Sequence, residues 1–239
     1  MKKNFLTIVL MFFVTLANAQ FYAGGVFSEN STWLLNKAVF DRGASQDIAA
    51  SFGNNYGIVA GFKFNENYGV EINFLFNKHT QKYVGNFICD YNSISTYNSI
   101  DIPILLKLGE GAFFEVGPVF SLMQNAHFKI EYDGTICPGN EDRDNREDYV
   151  NTFFGAAMGF GGNISLTDNL KISLGLRLYY GFTDIGGVNA LGWNKEKTEQ
   201  MDNAYNILYP NDDNHYGHKD FKTNPASGGL RIGIIYVID

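Results

Sequence analysis

The chain has 239 residues, a formal charge of -7 and a pI near 5.1. That balance excludes nucleic acid and other polyanions as partners, because holding phosphates needs clustered Lys and Arg. Aromatics at 15%, with 26 Gly and only 5 Pro, exclude disorder for most of the chain and suit a curved sheet with amphipathic rings at a boundary.

The first residues, Met1-Lys2-Lys3-Asn4, precede an apolar run from Phe5 to Leu16 and then Ala17-Asn18-Ala19. This basic, hydrophobic, small-x-small order is that of a cleavable secretory signal over residues 1–19, with cleavage before Gln20. A retained anchor is the competing reading, but the run is roughly a dozen residues against the ~20 a spanning helix needs. No Cys lies near the cleavage point, which argues against a lipoprotein. Residues 20–239 hold no second long apolar run or linker, so one domain is expected.

From there the dominant period is two, which sends one class of side chain to each face of a strand. Weak alternation runs over Phe21–Ser28 and Tyr56–Asn65. Val70, Ile72, Phe74 and Phe76 then oppose Glu71, Asn73 and Asn77, and Ile100, Ile102, Ile104, Leu106 and Leu108 oppose Ser99, Asp101, Pro103 and Lys107. Next, Phe114, Val116, Pro118, Phe120 and Leu122 oppose Glu115, Gly117 and Ser121, with a weaker stretch over Asn151–Ser165 after them. The cleanest alternation, Leu170–Phe182, sets seven large residues at even positions against Lys171, Ser173, Gly175, Arg177 and Tyr179. The last sets Leu230, Ile232, Ile234, Tyr236 and Ile238 against Gly229, Arg231 and Gly233. Eight strands are predicted, and no segment shows a convincing helical period.

Glu66-Asn67, Gly109-Glu110-Gly111 and Leu166–Asn169 read as tight turns, whereas the connections over roughly 29–54, 81–97, 125–150 and 184–225 are long and polar. An even strand count with short turns at one end and long loops at the other predicts an all-β, antiparallel up-and-down transmembrane barrel, its turns and termini periplasmic and its four long loops extracellular. A soluble β-sandwich shares the alternation but not the loop asymmetry. A lipocalin-like barrel would leave the mid-strand charges exposed. A closed barrel with Ile and Leu outward removes the sheet edges that lipid cannot hydrate.

That orientation sends Lys63, Glu71, Asp101, Lys107, Glu115, Lys171, Arg177 and Arg231 into the lumen. A charge on the lipid face would cost about 2 to 4 kcal/mol at the midplane. Eight strands leave an interior just wide enough for side chains, so a paired ionic plug is expected, with conduction of ions or a proton as the alternative. Cys89 and Cys137 fall in different long loops that an up-and-down barrel brings together, and export to an oxidising compartment predicts one disulfide rather than two free thiols.

Candidate chemistry at the rim is sparse. His79 and His127 lie near it, but neither has a Ser two residues away to share its strand face, so no catalytic residue is assigned. His215 and His218 with Asp212 and Asp213 have a spacing that could hold a divalent metal, but polar residues in an Asn-rich loop are ordinary. The acidic run Glu141–Asp148 lacks the Gly and spacing of a calcium loop and reads as a solvated loop bridging cations on neighbouring lipopolysaccharide. Neither a metal nor a cofactor is assigned.

The stretch Ser99-Ile100-Asp101-Ile102-Pro103-Ile104-Leu105-Leu106-Lys107, with Phe113-Phe114-Glu115-Val116-Gly117-Pro118 after it, resembles the PorT-like outer-membrane β-barrel family of Bacteroidetes. Asn169–Ile185 is similar to that family's seventh strand. The resemblance implies a porin-like, OmpA-type eight-stranded barrel integral to the outer membrane; some members belong to a protein secretion system. The sequence thus reads as a non-enzymatic barrel whose loops present a binding or adhesion surface. Its expected partners are outer-membrane lipid and lipopolysaccharide, with an extracellular protein or a secretion machinery as a further one. The alternatives are a narrow passive channel and a lipid-modifying enzyme.

Overall fold

The computed structural model describes residues 20–40, 45–87, 89–109, 111–134, 137–208 and 222–238. The expected signal sequence and the group around His215 and His218 lie outside the described residues. Eight long strands form the wall: β1 (Gln20–Asn36), β3 (Phe52–Lys63), β4 (Tyr68–Phe87), β5 (Cys89–Leu108), β6 (Ala112–Asp133), β8 (Thr152–Ser165), β9 (Leu170–Gly181) and β10 (Thr223–Ile238). Each pairs antiparallel with its sequence neighbour in this series, and β10 pairs with β1 from Phe21↔Ile238 to Asn36↔Thr223, so the ring closes. Two short strands lie outside it: β2 (Asp47–Ala49) on β4 and β7 (Glu141–Asp144) on β6.

The alternation decides which face is which. Ile72, Phe74 and Phe76 of β4, Ile104 and Leu106 of β5, Leu174, Leu176 and Leu178 of β9, and Leu230, Ile232 and Ile234 of β10 are all exposed on the outside of the ring. A soluble protein does not present an apolar band of this extent to water. Aromatic rings flank it: Tyr56, Phe76, Phe154, Tyr180 and Phe182 toward the long-loop end, and Phe21, Tyr68 and Tyr236 toward the short turns, as expected of rings at membrane–water interfaces.

The expected short turns are short. Between β3 and β4, Asn65 Oδ1 accepts from the backbone N–H groups of Asn67 and Tyr68, at 2.9 and 3.0 Å. Between β8 and β9, Thr167 Oγ1 accepts from the Leu170 N–H at 3.0 Å.

The long polar connections depart from the sequence reading. Residues 81–97 are no loop: β4 and β5 continue as one hairpin to Phe87↔Cys89. Likewise β1 runs to Asn36 and leads into α1 (Lys37–Phe40), and β6 continues to Asp133. The last connection contains α2 (Lys195–Leu208), a helix the alternation gave no reason to expect. Its first turn is capped by Asn194, whose Oδ1 accepts from the Lys197 N–H at 3.0 Å. Above the membrane, β2, β4, β5, β6 and β7 therefore form a five-stranded sheet standing on one side of the barrel mouth. A bulge adjusts it: Ser99 pairs with Met123 but Asn98 with Asn125, so Gln124 is an extra residue. Beyond it the inward residues of β6 switch from odd to even, and Ala126, Phe128 and Ile130 are buried.

Candidate functional site

Among the described residues, the lumen concentrates buried charge, and its chemistry follows from alternation on six different strands. Glu71, from β4, is fully buried and takes donors from all sides. Lys107 Nζ of β5 donates to its Oε2 at 2.9 Å and Arg231 Nη2 of β10 to its Oε1 at 3.0 Å. Tyr22 OH of β1 donates to Oε2 at 3.1 Å and Asn73 Nδ2 to Oε1 at 2.9 Å. Arg177 of β9 ties the second acid in: its Nε donates to Glu115 Oε1 at 2.6 Å and its Nη1 to Asn73 Oδ1 at 2.8 Å, with Nη2 3.6 Å from Glu71 Oε1. The Lys107 ammonium also sits 3.9 Å from the centre of the Phe113 ring, a cation–π contact.

Two glycines make room for this cluster. A Cβ on Gly61 would stand 2.4 Å from Tyr22 Cζ, so only the bare backbone lets that ring lie flat against the wall and reach Glu71. A Cβ on Gly159 would stand 2.9 Å from Glu115 Oε1.

Of the eight charged residues assigned to the lumen, five meet here: Glu71, Glu115, Lys107, Arg177 and Arg231. Asp101 stands apart, buried, accepting from Ser99 Oγ at 2.8 Å. It shares with Arg177, Asn77 and Tyr179 a polar cavity of about 30 Å³, room for about two water molecules. Lys63 ends β3 and Lys171 is the second residue of β9, so both are half-buried at the short-turn rim. Sequence reasoning missed Tyr22 and overlooked Asn73 as a link, because neither carries a charge; the lumen-side position of Asn73 was legible from its alternation with Ile72 and Phe74.

Apolar clusters pack beside the charges in the lumen. Tyr22, Val26, Val59, Leu75, Ile235 and Val237 pack together as one cluster, and Leu105, Val119 and Ala157 as another. Toward the long-loop end, Leu34, Tyr97, Met123, Tyr149, Phe153 and Ile185 fill the mouth. Above them the five-stranded sheet has its own core of Tyr83, Tyr91, Phe128 and Ile130, capped by Val188, Ala190 and Leu191 from the last connection. Ser93 Oγ donates to the Ala190 carbonyl at 2.6 Å, which latches that cap to the β4–β5 hairpin.

Cys89 and Cys137 are joined, with Cα atoms 5.9 Å apart. The bond staples the tip of the β4–β5 hairpin to the segment between β6 and β7.

The two rim histidines do not form a shared site. His79 is buried, stacked on Tyr97 with ring centres 4.8 Å apart, and its Nε2 donates to the Trp33 carbonyl at 3.2 Å. It lies beyond the lipid-facing part of β4, past the exposed Lys78, and burial pushes its pKa down to about 4. His127 faces out on β6 and pairs with Asp142 at 2.6 Å. The acidic run is largely exposed and folded into β7 and a 3₁₀ turn, Arg146–Asp148. Among the described residues no group of His, Cys, Asp and Glu is arranged to hold a metal ion.

Residues 16–187 match the family described as outer membrane protein beta-barrel domain. No curated protein sequence matches the chain. Among solved structures, the chain is similar to the outer membrane protein OprG from Pseudomonas aeruginosa, at 12% identity over 92% of this chain and 96% of that one, with a TM-score of 0.44. It is similar to Neisserial surface protein A at 14% identity over 92% and 98%, TM-score 0.38. The attachment invasion locus protein Ail of Yersinia pestis is similar at 12% identity over 91% and 98%, TM-score 0.37. Likenesses this distant do not carry function from one protein to another.

Proposed function

Since the chain belongs to the outer-membrane protein β-barrel family, we propose that it is a non-enzymatic barrel with a closed lumen, whose working part is the canopy formed above the membrane by the five-stranded sheet and its cap of Val188, Ala190 and Leu191. Residues 1–19 serve as its cleaved export signal. The short turns face the periplasm, and the canopy faces outside. The observation that carries this reading is the filling of the interior. A five-residue ionic cluster lies among apolar clusters, and the cavity beside it, about 30 Å³, has room for only about two waters.

The canopy supports a binding role for a separate reason. Its described residues are held in one shape by strands, a disulfide and an apolar core, so a partner binding them would not have to bear the cost of ordering a loop. Adhesion to an extracellular protein fits this surface. So does support of an outer-membrane secretion machinery, which the likeness of Ser99–Lys107 and Phe113–Pro118 to PorT-like barrels favours. Swelling of liposomes that contain the folded barrel, in an isotonic small-sugar solution, tests the choice between surface and channel. No swelling is expected; swelling at the rate given by an open porin would move the function into the lumen.

A further inference from the structure

The outward side of the ring strands is apolar within the membrane, but on β4 it turns basic just above it. Beyond the exposed aromatic pair Tyr56 and Phe76, whose ring centres are 5.7 Å apart, the next outward residues of β4 include Lys78 and Lys82, both exposed. Alternation puts residues four apart on one face, about 13 Å from each other. Among the described residues of the ring strands, the only other outward-facing Lys or Arg is Lys129, and it is held by Glu131 at 2.7 Å. Among the described residues no acid pairs with Lys78 or Lys82. The nearest outward acid on the register row of Lys78 is Glu29, two strands away through Asn54, or about 10 Å. On the other side the row continues into Asn98 and Asn125, which bond to each other at 2.6 Å. Lys82 stands opposite Ala49; Asp47 lies one outward position further on, opposite Val84, and its Oδ1 accepts from the Ile48 N–H at 2.8 Å.

We propose that Lys78 and Lys82 form a binding site on the outer wall of the barrel for the phosphate groups of one phosphorylated glycolipid of the outer leaflet. The acyl chains of that lipid lie on Tyr56, Phe76 and the band below. Two ammonium groups with no acid partner among the described residues stand on the outer wall beyond the surface that takes the chains, on the side where headgroup phosphates lie. A lysine near an anionic membrane surface gains roughly a fivefold preference, so the pair gives about thirtyfold. The inference rests on the outer-membrane orientation given above and names one lipid contact within it.

Native mass spectrometry of the folded protein in mild detergent tests it, with bis-phosphorylated lipid A and the same glycolipid stripped of phosphate as probes. Wild type is expected to retain the phosphorylated probe, Lys78→Gln/Lys82→Gln to bind it about thirtyfold more weakly, and Lys129→Gln to bind it as wild type does. Equal retention by the double variant overturns the proposal, and so does equal retention of the stripped glycolipid. Displacement by millimolar inorganic phosphate would reassign the lysines to free phosphate. A heat-modifiable gel shift confirms that each variant is folded. If wild type itself fails to enter lipid vesicles, the membrane reading falls first and the proposal with it.

Discussion

Glu71→Gln removes a single charge from the place where most of the interior converges. The native cluster sets two carboxylates, Glu71 and Glu115, against Lys107, Arg177 and Arg231. In the variant one carboxylate faces three cations, and all of them are at most slightly exposed. Removing one partner of a buried ion pair costs about 3 to 5 kcal/mol, because the charges left behind are uncompensated. The amide keeps an oxygen acceptor for Arg231 or Asn73, which places the expected loss near the lower end, about 3 kcal/mol. Urea unfolding of the reconstituted protein, monitored by the fluorescence of Trp33 and Trp193 and by heat-modifiable migration, measures it. Pairing the change with Arg231→Met should cost less than the sum of the two single changes, since the second removes a charge that the first has stranded. A loss below about 1 kcal/mol is what an exposed pair gives; it would mean that water reaches Glu71 and that the lumen is wet.

Reducing the Cys89–Cys137 bond releases a loop closed across 48 residues, with an expected loss of about 4 kcal/mol on the chain-entropy estimate. Unfolding midpoints under oxidising and reducing conditions check this, and equal midpoints would contradict it. The buried His79 makes stability depend on pH. Its folded pKa of about 4 lies below the ordinary 6.5, so between those values the unfolded chain takes up a proton that the folded one refuses. Stability should therefore fall as pH drops through that window, by about 3 kcal/mol in all. Removal of this dependence in His79→Gln is the expected result, and an unchanged pH profile would refute the assignment.

The wall was legible because lipid imposes a strict demand: outside residues must be apolar, so a period of two survives in Leu170–Phe182 and Leu230–Ile238 even without a partner to show pairing. The same logic placed Glu71, Lys107 and Arg177 inside, and the placement of Cys89 and Cys137 in adjacent connections anticipated their bond. Above the membrane that demand ends. Over residues 81–97 the outward side is largely polar and the inward side mixes Tyr with Ser and Gln, so the apolar signal vanishes although the strands continue. The extra residue Gln124 shifts the phase of β6, which made its upper half read as loop. Helix α2 was hidden for another reason: its residues Lys195–Leu208 are mostly polar, with few large apolar side chains to mark a face. Which charges pair was also beyond the sequence. Alternation gives the face of a residue but not its height in the lumen, and the partition of Asp101 from the Glu71 cluster depends on register across five strands.

Single-channel recording of the purified, refolded barrel in a planar bilayer at neutral pH, with heat-modifiable migration as the folding control, tests the closed lumen most directly. A folded and electrically silent barrel is the expected result. Stable conductance steps would contradict it, showing a continuous water path through the layers around Glu71 and Tyr97.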